Sequence, residues 1–293
     1  MSVAAEAKRP PATASGRLVG FIAKTPVHIA LLIIAVIWLV PTVGLAITSF
    51  RPRDQIQATG WWTTFNDFAF TLHNYNLVLD NAGMGSSFVN SIIITVPSTL
   101  LPLALGAAAA YAFSWINFPF RDTIFLTFVA LMVVPIQMAL VPLLRLFTDL
   151  GLNEWYVGIW LAHTAFGLPL AVFLLRNFFI TLPRDLIEAA RVDGASNVRI
   201  FLRVVIPLSV PALASYGIFQ FLWVWNDLLM ALVFISDSDL FPMTKRIVET
   251  QGTYGAEYHL LASGAFLLMI VPLIVFFALQ RYFVQGLLAG SVK

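Results

Sequence analysis

The sequence predicts an all-α integral membrane protein with six transmembrane helices, and three observations predict it. Of 293 residues, 59% are hydrophobic and 11% charged, against about a quarter charged in an ordinary soluble domain, and the mean hydropathy is +0.86. The apolar residues gather in runs long enough to cross a hydrocarbon core of about 30 Å as helices. The basic residues between these runs are sorted loop by loop, as they are where one side faces the cytoplasm. A net charge of +2 is too small to point to nucleic acid. With no cysteine, disulfides, thiol chemistry and cysteine-held metal are excluded.

Residues 1–24 carry Ala, Pro and basic side chains and are expected to form a loosely ordered arm. A cleaved signal peptide is not expected, because the apolar run that follows is too long and lacks a small-residue cleavage site. Span one is expected over 26–49. The polar stretch 51–87 follows, with Trp61 and Trp62 placed as interfacial anchors and a short surface helix over 72–79. Span two covers 88–115, with Pro97 and Pro102 inside, and 117–122 is a tight turn. Span three covers 123–147 and is broken by Pro135 and Pro142; span four covers 155–176 and contains His163, Gly167 and Pro169. Span five is expected over 207–235 and span six over 259–283. Prolines inside spans free backbone carbonyls that neighbouring helices or cavity water must satisfy, which suits a bundle around a path better than a simple anchor.

With the N-terminus inside, the inner segments hold Lys8, Arg9, Arg17, Lys24, Arg121, Arg176, Arg184, Arg191, Arg199, Arg203, Arg281 and Lys293. The outer ones hold Arg51, Arg53, Arg145, Lys245 and Arg246, which completes the 17 lysines and arginines. The bias puts both ends, and the long loop after span four, in the cytoplasm.

That loop has its own helical pattern. Pro183 suits a first helical turn, where its missing N–H costs nothing. Arg184, Glu188 and Arg191 fall on one face, and Leu182, Leu186, Ile187 and Ala190 on another. Gly194 supplies a left-handed stop. Ser196 or Asn197 then caps a second helix that turns apolar at Val204 and runs into Pro207 and Pro211. From pattern alone, the first helix is either a docking knob for another protein or an amphipathic helix at the headgroups.

Glu188-Ala189-Ala190, Asp193-Gly194 and Ile206-Pro207 resemble the EAA loop of permease subunits in binding-protein-dependent ABC importers. The ending Val205-Ile206-Pro207-Leu208 departs slightly from the usual form. Phe88-Val89-Asn90-Ser91, Trp225-Asn226-Asp227 and the tail from Gln280 to Gly290 are similar to the sugar-importing branch, in particular to the shorter of its two maltose-type permeases. The resemblance covers roughly residue 25 to the end. It implies a type I ABC importer permease fold over 25–293, with a core at 85–283 and a coupling loop at 181–207. It implies that Glu188, Ala189, Ala190, Asp193, Gly194 and Pro207 couple to the ATPase, with Glu188 the polar anchor and Gly194 the turn that sets its angle. The partners implied are a second permease, two ATPase subunits, an extracytoplasmic solute-binding protein, membrane lipid and a carbohydrate substrate (a di- or oligosaccharide or a glycoside), with somewhat of an α-glucoside look to the final motif. ATP and Mg would sit in the ATPase.

The chain itself shows no engine. The one Lys followed by Ser or Thr is Lys24, preceded by Ala23 rather than Gly, so there is no P-loop. No HExxH and no His/Asp/Glu cluster points to hydrolase or metal chemistry, so no catalytic, cofactor or metal residue is expected. Asp227 is the deepest carboxylate, and an intramembrane acid is functional by default. It either pairs inside the bundle, the favoured reading, or lines the sugar path. Asn90, Gln137, Gln220, Trp225 and Asn226 carry the same two readings, with helix pairing favoured for the amides. Trp223 and Trp225 could stack on a pyranose, although aromatics in spans mostly pack. His163 reads as a hydrogen-bonded interior group rather than a proton relay. The outer loop 236–258 is a solvated connector by default; the resemblance gives Thr250, Gly252, Tyr254 and Gly255 to contact with the binding protein. Two rival functions remain: a proton-coupled secondary transporter using Asp227 or His163, and a non-transporting membrane scaffold.

Overall fold

The computed structural model of the chain describes residues 14–81, 83–152, 155–254 and 257–289, with side chains over 25–80, 83–152, 155–251 and 257–281. Every regular element among them is helical. The first helix, α1 (Ala14–Phe50), begins inside the expected arm, because no proline interrupts the mixed basic and apolar run before Pro26. Then come α2 (Arg53–Ala58), a 3₁₀ turn at Trp61–Phe65, and α3 (His73–Asn76) running into a π turn at Leu77–Asn81. This is the short surface helix expected over 72–79. Of the two tryptophans, Trp61 fills the space above Gly44, where a Cβ would lie 2.7 Å from its ring nitrogen. Trp62 is exposed.

The centre of the bundle is α4 (Met84–Trp115), followed by α5 (Arg121–Leu131), α6 (Ile136–Asp149) and α7 (Val157–Phe179). Next come α8 (Arg184–Val192), α9 (Asn197–Ile200), a π turn at Phe201–Val205 and α10 (Ile206–Leu208). The chain ends through α11 (Val210–Trp225), α12 (Leu229–Phe234), α13 (Met243–Tyr254) and α14 (Tyr258–Ala289). The pair α4 and α7 approach so closely that a Cβ on Gly106 would meet the Ala171 Cβ at 2.4 Å. By contrast α1 shows Leu32, Ile37 and Trp38 to the surroundings, and packs only through its last turns, where Phe50 meets Tyr75 and Phe266.

Among the described residues four helices are long and apolar enough to cross a membrane, and six crossings result if each of two bent pairs counts as one. Span three is broken, as expected, and the break is at Pro135; span five, expected as one run over 207–235, is corrected here. Span three is α5 and α6 joined at 101°. Pro135 has no N–H to continue the helix and holds Val134 away from the helical region. Span five is α11, entered from the 197–208 segment at 78° through Ser209, between Pro207 and Pro211. It ends at Trp225 rather than 235.

Three of the proline-freed carbonyls find partners on neighbouring helices. A proline leaves the carbonyl four residues earlier without its helical donor. Pro97 frees that of Ile93, which accepts from the Trp160 indole N–H at 3.0 Å. Pro102 frees Ser98, which accepts from the Gln220 amide at 3.2 Å. Pro272 frees Leu268, which accepts from the Trp225 indole at 2.9 Å. Each of these three carbonyls is thus held by a side chain of α7 or α11.

Two apolar clusters lie at opposite ends of α4. One gathers Ile94, Phe147, Tyr156, Ile159, Met230 and Phe234 around α12. The other gathers Ala107, Tyr111, Leu175, Phe179, Ile187, Ile200 and Val205 around α8.

Candidate functional site

The α8 end is built from local sequence. Pro183 precedes the helix with an extended ψ of 121°, and Asp185 sits in the first turn where the helix dipole favours an acid. Gly194 is left-handed, φ +77°. Its N–H donates to the Arg191 carbonyl and that of Ala195 to the Ala190 carbonyl, both at 3.0 Å, closing a Schellman stop. Ser196 caps α9, accepting from the Arg199 N–H. Ile187 is fully buried under the helix, and Ala190 is half-buried. Arg184, Asp185, Glu188, Ala189 and Asp193 are exposed, with Val192 at 88% and Leu186 at 46%. The expected side-chain pairing of Arg184, Glu188 and Arg191 does not form. Arg191 instead donates to the Trp115 carbonyl at 2.8 Å, fastening α8 to the end of α4. Pro207 is exposed beside the π turn.

The α12 end is built from long-range polar contacts. The Asn90 amide donates to the carbonyls of Asp239 (2.7 Å) and Phe241 (3.1 Å), and its oxygen accepts from the Tyr156 hydroxyl at 2.8 Å. Ser91 accepts from the Met243 N–H at 2.8 Å. The Asp227 carboxylate accepts from the Met230 N–H at 2.8 Å, capping the positive end of α12. Lys245 caps the negative end, its ammonium on the Ile235 carbonyl and 4.0 Å from the centre of the Phe241 ring. Burial pushes the Lys245 pKa down from its ordinary value, and nearby Glu249 offsets part of that.

These contacts sort the candidate residues. Asn90, Gln220 and Trp225 pair helices. Trp225 is buried, stacked on Phe221 and edge-on to Phe88, so it offers no free face to a sugar. Gln137 is exposed beyond the span-three bend and bridges nothing within the described residues. Asn226 is exposed and donates to the Leu222 carbonyl of its own helix. Asp227 accepts from the backbone of its own following helix, and His163 lies 3.9 Å from it, a proximity hidden by 64 residues of sequence.

The 236–258 loop is corrected. Its central part is α13, packed on the bundle through Met243 and Lys245. Thr250 is 3% exposed and donates to the Arg246 carbonyl, so it turns toward the bundle and not outward. Gly252 and Tyr254 belong to α13 by backbone, and Gly255 lies outside the described residues. The tail beyond 281 is described by backbone alone. Sequence reasoning missed Trp160 and Lys245. A proline four residues after an apolar position marks a carbonyl in need of a donor, which points to the first; nothing local points to the second.

Comparison with known proteins settles the family. A family model, "Binding-protein-dependent transport system inner membrane component", matches residues 101–288. The chain belongs to this family. It is 52% identical to the osmoprotective compounds uptake permease protein GgtD of Synechocystis sp., over 95% of each chain. It is 38% identical to the alpha-glucoside transport system permease protein AglG of Rhizobium meliloti, over 91% of this chain and 96% of the other. A crystal structure of a bacterial ABC transporter involved in the import of the acidic polysaccharide alginate contains a chain with the same fold. That likeness has a TM-score of 0.74 and 23% identity, and covers 94% of this chain and 100% of that one. The chain is therefore a multi-pass inner-membrane permease of a binding-protein-dependent ABC importer, and neither secondary transport nor scaffolding finds support.

Proposed function

We propose that this permease moves a small polyhydroxylated solute, a glycoside or a di- or oligosaccharide, from an extracytoplasmic binding protein into the cytoplasm. The observation that supports it is end-to-end likeness to two uptake permeases, one named for osmoprotective compounds and one for α-glucosides. An α-glucoside of osmoprotectant size satisfies both. The chain works as a non-catalytic subunit beside a second permease and two ATPase subunits, which hold the ATP and Mg. The α8 end faces the cytoplasm, where Arg176, Arg184, Arg191, Arg199 and Arg203 cluster; both termini share that side.

In this arrangement Glu188, Ala189, Ala190, Asp193 and Gly194 form the dock for the ATPase, and Pro207 begins the joint through which α8 drives α11. The rigid Schellman stop and the Arg191–Trp115 bond pass a push on α8 to both α4 and α11. Nucleotide state shifts the conformational population because the ATPase contacts differ between states. On the opposite face, α13 presents Val248, Glu249 and Gln251 to the binding protein, in place of buried Thr250.

The test is uptake by vesicles holding the full complex, using labelled α-glucosides and osmoprotective glycosides. Uptake that needs internal ATP and persists with the proton gradient collapsed is expected. Uptake that follows the gradient instead, or a binding protein that takes no glycoside, overturns the reading.

A further inference from the structure

Between α4, α7 and the break after α11 lies a cavity of about 10 Å³, with Ser91, Thr95, His163, Asp227 and Thr244 as its polar lining. His163 is fully buried, and neither ring nitrogen has a hydrogen-bond partner in the protein. The Asp227 carboxylate lies 3.9 Å from Nε2, and Trp223 meets the ring edge-on at 5.4 Å. A separation of that size is too long for a direct hydrogen bond and suits one bridging molecule. A buried imidazole without partners is costly. The cavity is polar, of the volume one water needs, and offers several hydrogen-bonding groups.

We propose that the cavity is a binding site for a single water molecule, and that this water ties His163 to Asp227 as a strut between α7 and the break in span five. The two ends of the strut differ in freedom. His163 stands on α7, which is locked against α4 at Gly106. Asp227 stands at a joint: it follows the last turn of α11, its carboxylate starts α12, and its carbonyl accepts from the Thr244 hydroxyl at 2.9 Å. The strut therefore sets the angle at which α12 leaves α11. Asn90 and Lys245 hold the far end of the same segment, so losing the strut frees its near end alone. His163 and Asp227 are positioning residues in this account, and no proton moves between them.

The first test is a structure of the assembled transporter at a resolution that shows ordered water. A density peak within hydrogen-bond distance of a His163 nitrogen and an Asp227 oxygen is expected. An empty cavity, or ring and carboxylate in direct contact, overturns the proposal. The second is a cycle of His163→Leu, Asp227→Ser and the double variant, read as ATP-driven uptake and as thermal stability of the purified complex. Ser still caps α12 but is too short to reach the water, so Asp227→Ser removes the strut and leaves the cap. Each single variant is expected to lose about tenfold in uptake, and the double no more than the worse single, as coupled neighbours do. Losses that multiply in the double overturn the strut. If His163→Leu does not assemble, His163→Gln decides: its amide reaches the water, and uptake within about threefold of the parent is expected where Leu or Met at the same position fails. Gln failing as fully as Met overturns it. An unmodified complex without ATP-dependent uptake would contradict the importer reading, and the density test would stand unaffected.

Discussion

The two ends of the bundle are held by different physics. At the α8 end, side chains buried beneath the helix are apolar, with Ile187, Ile200 and Phe179 fully enclosed, and the exposed surface mixes charged side chains with Val192 and Leu186. At the α12 end, directional contacts are added to the apolar cluster: Asn90, Tyr156, Ser91, Asp227 and Lys245 each hold a named backbone or side-chain atom. Apolar packing resists shear without selecting one position, so the α8 end can be carried as a block. Hydrogen bonds to single carbonyls break stepwise and re-form elsewhere, so the α12 end can open. A permease driven from one face and loaded from the other needs this asymmetry.

The sharpest way to break the comparison is to make the α12 end apolar. Asn90→Leu keeps the volume and removes two donors and an acceptor, leaving the Phe241 carbonyl and the Tyr156 hydroxyl buried without partners. A loss of about 3 kcal/mol in thermal or denaturant stability is expected, with apolar substitutions of similar size beneath α8, such as Ile187→Leu, costing less than half of that. Equal losses at the two ends would remove the distinction. Next in size is Lys245→Met, which keeps an unbranched apolar stem and deletes the ammonium that caps the Ile235 carbonyl and lies over the Phe241 ring. It should cost about 2 kcal/mol, and limited proteolysis should find its first new cut between α12 and α13.

Legibility in the sequence follows the same line. The α8 end was readable because its determinants are local: Pro183, Gly194 and Ser196 do what their backbone preferences dictate, and the left-handed Gly194 lies where the pattern ends. Spans one, two, four and six were readable from hydropathy. The break in span three was legible from its prolines but its place was not: Pro135 and Pro142 look alike in the sequence, yet the turn is at the first. The bend into span five was not legible, because hydropathy reports how apolar a segment is and is blind to its direction. The α12 end was unreadable for a different reason. Asn90 finds its partners 149 and 151 residues away, and Lys245 looked like a solvated loop charge until α12 placed a helix terminus beside it.

The smallest expected change in stability tests the α8 end from its other side. Gly194 has φ +77° and no atom within 4 Å of where a Cβ would sit, so a substitution meets no clash, and its whole cost is backbone strain. Gly194→Val should cost about 1 kcal/mol or slightly more, less than either change at the α12 end, and Gly194→Asn should cost a fraction of that because Asn tolerates the left-handed region. Uptake separates the roles. If α8 is a lever whose angle Gly194 sets, Val uncouples ATP hydrolysis from uptake in a complex that still assembles, and Asn restores the coupling. If α8 only rests at the headgroups, both variants transport normally, since a strain of this size leaves the Ile187 packing and the Arg191–Trp115 bond in place. Hydrolysis and uptake measured on the same vesicles therefore decide whether the turn transmits force or merely ends a helix.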